Sequence, residues 1–86
     1  MMILVSLMKQ DITYPGIEHA KGILKSELKR RNMTYADLVT NLSEMDVNET
    51  EANIRNKISR GTFTAVFFLQ CLLAIGCEHV VLKQSV

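Results

Sequence analysis

Residues 51–63 read EANIRNKISRGTF, and residues 64–76 follow at once as TAVFFLQCLLAIG. The first stretch sets Asn53, Arg55, Asn56, Lys57 and Arg60 around two isoleucines, Ile54 and Ile58. In the second, Gln70 is the only polar side chain between Ala65 and Ile75. Isoleucines about one turn apart predict a short helix with one buried side and one polar side. The apolar run is longer than most strands, so a second helix is expected there, capped by Thr62 or Thr64 and stopped by Gly76. A polar helix laid directly against an apolar one decides how the rest of the chain is read.

On a wheel of about 100° per residue, Ile54 and Ile58 mark the buried side, with Thr50 and Glu51 beside them. The opposite side carries Glu49, Ala52, Asn53, Asn56, Ser59 and Arg60, and Arg55 and Lys57 stand on the two edges. An ordinary solvated helix surface has much the same composition. Yet amides can pair with adenine, a guanidinium can fork onto guanine, and small residues let a helix approach a groove closely. Cations on the edges suit phosphates, which fix register without reading sequence. Glu49 and Glu51 would repel phosphate; at the positive end of the helix they are read as structural.

Further back, Asn48 is expected to cap this helix, with Glu51 completing a box and Gly61 ending it, so that it spans Glu49 to Arg60. Before it, Thr34 with Asp37 three residues on opens a helix from Tyr35 to about Met45, burying Leu38, Val39, Leu42 and Met45. From Ile17 to Arg31 another helix is expected, striped by Ile17, Ala20, Leu24, Leu28 and Arg31, with Asn32 closing it in the left-handed conformation. Pro15-Gly16 signals a turn. The ends, MILVSL at 2–7 and HVVLKQ at 79–84, favour strands or extended arms. The expectation is mainly α: a compact four-helix helix-turn-helix domain at 17–77, between short β-prone arms at 1–16 and 78–86.

A helix that is apolar on every side must be covered on every side. Three other short helices leave part of the fourth bare, so Phe63, Phe67, Phe68 and Leu72 are expected to form a seam with a second copy, giving a homodimer. At 48 % hydrophobic the chain can build one core, and a domain of 86 residues gains from pairing.

A net charge of +1 offers no global pull on nucleic acid or anionic membrane. The charge is nonetheless clustered. Lys21, Lys25, Lys29, Arg30 and Arg31 form one basic block, Asp37 to Glu51 is acidic, and Arg55, Lys57 and Arg60 are basic again. No segment reaches the roughly 20 apolar residues of a membrane span. The apolar start lacks the basic region and cleavage site of a secretory leader, and two cysteines suit a reducing compartment, so a cytoplasmic protein is expected. Cys71, Cys77 and His79 lack the paired spacing of structural zinc sites, and no metal is expected. No nucleophile with a base, phosphate loop or carboxylate pair is present, so neither catalysis, a cofactor nor a small-molecule ligand is inferred.

Helix, turn, helix, glycine and a buried helix is the order of a helix-turn-helix domain. MTYADLVTNL, Met33 to Leu42, resembles the first helix of that unit in the lambda-repressor-like (Cro and C1 type) superfamily. KISRG, Lys57 to Gly61, resembles the end of its recognition helix, and LLAIG, Leu72 to Gly76, the close of the helix after it. The stretch from Lys21 to Gly76 also resembles a small bacterial family of uncharacterised domains assigned to that superfamily. Two features depart from the pattern: the turn SEMDVNET, Ser43 to Thr50, is longer, and the isoleucine spacing is four rather than three.

The resemblance implies a small transcriptional regulator that binds double-stranded DNA. Asn53, Asn56 and Arg60 would face base edges. Thr34 and Tyr35 would lie near a phosphate at a helix N-terminus, and Arg55, Lys57 and Thr62 would hold the DNA backbone. The alternative is a protein-protein interaction module on the same scaffold, without DNA binding.

Overall fold

Threonines start three of the four helices in the computed structural model, which describes residues 16–82. The helices are α1 (Gly16–Arg30), α2 (Tyr35–Ser43), α3 (Glu51–Arg60) and α4 (Ala65–Ala74), and the fold is mainly α. At α2 the expected box is complete: the Asp37 amide donates to Thr34 Oγ1 at 3.1 Å and the Thr34 amide to Asp37 Oδ2 at 2.9 Å. Thr64, of the two threonines considered, caps α4 by accepting from the Phe67 amide at 3.0 Å. The cap of α3 differs from expectation. It is Thr50, which accepts from the Asn53 amide at 3.0 Å, so the helix starts at Glu51 rather than Glu49.

The reason for that shift lies outside the helix. The Val47 amide turns back to the Leu42 carbonyl at 2.9 Å, and Glu49 reaches Lys57 Nζ at 2.7 Å, which leaves Asn48 and Glu49 out of α3. The same turn ends α2 at Ser43, short of Met45. Asp46 takes φ +63°, and the Met45 amide returns to Leu42 at 2.8 Å. Met45, expected inside, is left exposed. The three other left-handed closers, Asn32, Gly61 and Gly76, sit at φ +54°, +73° and +77°, where the sequence put the ends of α1, α3 and α4.

α1 and α2 each pack against both α3 and α4. Leu24 and Leu28 from α1, Leu38 and Leu42 from α2, Ile54 and Ile58 from α3, and Phe67, Cys71 and Leu72 from α4 make the core. Ile17, expected on the buried stripe of α1, is half exposed. Two helix ends are held by a neighbour's side chain. Lys21 Nζ donates to the Ser59 carbonyl of α3 at 2.8 Å, and Asn41 Nδ2 donates to the Ala74 carbonyl of α4 at 3.0 Å. Each satisfies a carbonyl that the end of a helix leaves without an intrahelical partner.

After α4 the chain returns to α1. The Cys77 amide donates to the Leu72 carbonyl at 2.9 Å, and the Cys77 side chain is buried. Glu27, the one buried charged residue among those described, accepts from Arg31 Nη1 and lies 3.5 Å from Arg30. The Arg31 hydrogen bond holds its carboxyl below the usual range, against the opposing pull of desolvation. No strand occurs among the described residues: 79–82 run without regular structure, and the strand expected at 2–7 lies outside them. No described helix is long and apolar enough to cross a membrane.

Candidate nucleic-acid interface

Ile54 and Ile58 are fully buried, and this fixes how α3 is rotated. Ala52, Asn53, Asn56, Ser59 and Arg60 are consequently all exposed, on the side away from the core. Among the described residues the side chains of Asn53, Asn56 and Arg60 have no hydrogen bond or ion pair. The three residues expected to face bases therefore share one open face. Its direction is set at both ends: Thr50 caps the start, and Lys21 and Gly61 hold the finish against α1.

The edges are arranged differently. Arg55 pairs with Glu51 one turn earlier at 2.9 Å, and its guanidinium lies 5.6 Å from the centre of the Tyr35 ring. Lys57 pairs with Glu49 at 2.7 Å and its ammonium stands 4.7 Å over the Phe67 ring. Both cations assigned to the DNA backbone are thus held by carboxylates of their own chain. The Arg55 pair is open to solvent on both sides, whereas Glu49 is largely enclosed. Thr62 is exposed in the turn after Gly61.

At the start of α2, Thr34 is exposed but both of its polar groups engage Asp37, whose carboxylate occupies the anion-favouring helix end. Tyr35 is half-buried beneath Arg55. The structure thus gathers Asn53, Asn56 and Arg60 on one face, with Arg55 beside them, and sets Thr34 and Tyr35 at the other side of Arg55.

The seam residues divide. Phe67 and Leu72 are buried within the chain's own core, so they have no surface to lend to a partner. Phe63 and Phe68 are half-buried and stack on each other at 5.7 Å. The large apolar side chains that α4 does expose are Val66, Leu69 and Leu73, at 62 %, 57 % and 66 %. Their spacing of three and four places them on one stripe.

Cys71 is buried beside the Glu49–Lys57 pair, and burial first, then the Glu49 charge, pushes its thiol up to about 12. Cys77 Sγ donates to the His79 carbonyl at 3.3 Å. No cluster of three or more metal-ligating side chains occurs among the described residues.

Sequence reasoning missed Lys21 and Glu49 as the residues that hold α3. Lys21 was visible only as part of a basic block. The Glu49–Lys57 pair spans a helix cap, so no helical spacing announces it.

The family described as a domain of unknown function (DUF6471) matches residues 17–80, and the chain belongs to it. No curated protein and no solved structure matches the chain.

Proposed function

We propose that this chain is a DNA-binding regulator of the cytoplasm that lays α3 in the major groove of double-stranded DNA. One observation carries the reading: Asn53, Asn56 and Arg60 stand exposed and unpaired on one face of α3, beside the small residues Ala52 and Ser59. An asparagine amide can bond both adenine N6 and N7, and a guanidinium both guanine O6 and N7. The order α2, turn, α3, α4 adds support, since it is the order expected from the resemblance of Met33 to Leu42 and Lys57 to Gly61 to the lambda-repressor-like superfamily. A homodimer would present two α3 helices to half-sites about one helical turn apart. Val66, Leu69 and Leu73 on α4 are the surface we assign to that pairing.

A protein-interaction module is the second reading, favoured by the internal pairing of Arg55 and Lys57. Selection from a random duplex library at low and at physiological salt separates the two. Enriched sequences whose affinity falls steeply with salt support the DNA reading; recovery of no duplex even at low salt leaves the module.

A further inference from the structure

A concavity of about 570 Å3 lies between the second half of α1 and the starts of α2 and α3. Leu28, Met33 and Tyr35 give it an apolar lining, and Lys25, Lys29 and Arg55 stand around it. Its size falls within the range of small-molecule pockets, which combine an apolar lining with a few polar groups that fix orientation.

Its charge is one-sided. Glu51 is the single carboxylate in the lining and is already matched by Arg55 at 2.9 Å. Lys25 and Lys29 are exposed, and no carboxylate among the described residues pairs with either. Four residues apart on one helix, they face each other as like charges, an arrangement that an anion between them relieves.

We propose that this groove binds a small organic anion with a flat apolar body, an aromatic carboxylate. Lys25 and Lys29 take the carboxylate, and Met33 and the ring of Tyr35, both half-buried, take the body over the buried Leu28. A passing phosphodiester strand would use the two lysines but would have no use for the apolar lining. A bare inorganic anion would leave that lining wet. The Arg55 guanidinium stands over the Tyr35 ring, and the part of that planar ring left exposed favours a flat ligand over a branched one. The groove borders the exposed face of α3 and shares Thr34, Tyr35 and Arg55 with the residues expected at a DNA backbone. None of the three residues expected to face bases lines it, and the inference does not depend on DNA binding.

The test is a titration of the isotope-labelled full chain with 2-naphthoate, followed by amide resonances. Neutral 2-naphthamide and inorganic phosphate serve as matched probes, for the charge and for the ring. The expected result is a saturable shift at Lys29, Met33 and Tyr35 with naphthoate, at least tenfold weaker binding of the amide, and no saturable shift with phosphate. The double substitution K25Q/K29Q, both at exposed positions, should abolish the naphthoate shift while its own spectrum keeps the native dispersion. Any of three results overturns the proposal: no saturable naphthoate shift, equal binding of the amide, or unchanged binding by the double variant. Phosphate saturating the same resonances as tightly as naphthoate would also overturn it, and would mark the groove as a track for a phosphate chain.

Discussion

Gly61→Ala asks whether α3 is truly seated on α1. Gly61 is buried at φ +73°, and a Cβ there would lie 2.5 Å from Ile17 Cγ2 and 3.0 Å from the Ile17 carbonyl oxygen. The left-handed backbone alone costs an alanine roughly 1–2 kcal/mol. Forcing atoms into a filled contact adds roughly 1–3 kcal/mol. Half-exposed Ile17 can move its side chain, but the carbonyl belongs to the first turn of α1 and yields only if the helix shifts. Gly76 supplies the control. Its φ is +77°, yet nothing lies within 4 Å of its would-be Cβ, so Gly76→Ala bears the backbone cost alone. Stiffening of the unfolded chain by alanine acts on both variants alike.

Urea unfolding of the two variants should therefore differ by about 1–3 kcal/mol at constant m. The extra loss for Gly61→Ala lowers the midpoint by about 4–8 °C for each kcal/mol in a domain of this size. Adding Ile17→Ala should recover part of the difference, because it removes the closest contact and leaves the carbonyl. Equal losses for Gly61→Ala and Gly76→Ala would refute the close approach, and with it the bracing of the end of α3.

Other outcomes follow from the same geometry. Asn56→Ala and Arg60→Ala should each weaken specific duplex binding by about 1–3 kcal/mol in a fluorescence titration while leaving the thermal midpoint nearly unchanged; unfolding of either variant would mean the face is not exposed. Leu69→Asp should turn a dimer into a folded monomer by light scattering, and an intact dimer would remove the α4 stripe as the seam. Thr50→Ala should cost about 1 kcal/mol of stability and Asn48→Ala almost nothing, read by chemical denaturation, and the reverse order would return the cap to Asn48. Glu27 binds its proton less readily folded than unfolded, so its contribution is complete above the ordinary carboxylate range and is lost as pH falls through its lowered value. Glu27→Gln should therefore flatten the acid side of the stability profile, and an unchanged profile would count against the Arg31 contact.

What could be read from the sequence was local chemistry. Thr34 with Asp37, and the left-handed closers Asn32, Gly61 and Gly76, involve residues a few positions apart, and all four are found where the sequence put them. The start of α3 was misplaced because two caps competed, and a distant contact chose between them. Asn48 and Thr50 are both good caps, and it is Glu49 bonding Lys57 that leaves Asn48 outside. The orientation of α4 was illegible for a different reason. A helix apolar on every side has no contrast between faces, so nothing in its pattern says that Phe67 and Leu72 turn inward while Val66, Leu69 and Leu73 turn out. The face of α3 could be read because its two isoleucines are the only apolar anchors in a polar stretch.

The same contacts decide which cations of α3 are available to a phosphate. The Arg55–Glu51 pair is half exposed on both sides, and pairs of that kind contribute roughly 0–1 kcal/mol. A phosphate can take Arg55 from Glu51 at little cost. Lys57 is bound differently: its partner Glu49 is only 14 % exposed, and its ammonium rests on the Phe67 ring at the margin of the core. Drawing Lys57 away would leave an enclosed carboxylate without its cation, a far costlier exchange. On the DNA reading, contact with phosphates would therefore be one-sided, open at the Arg55 edge. On the Lys57 edge the positive charge is held by Glu49, in the turn that starts α3, and helps to fix the direction of that helix.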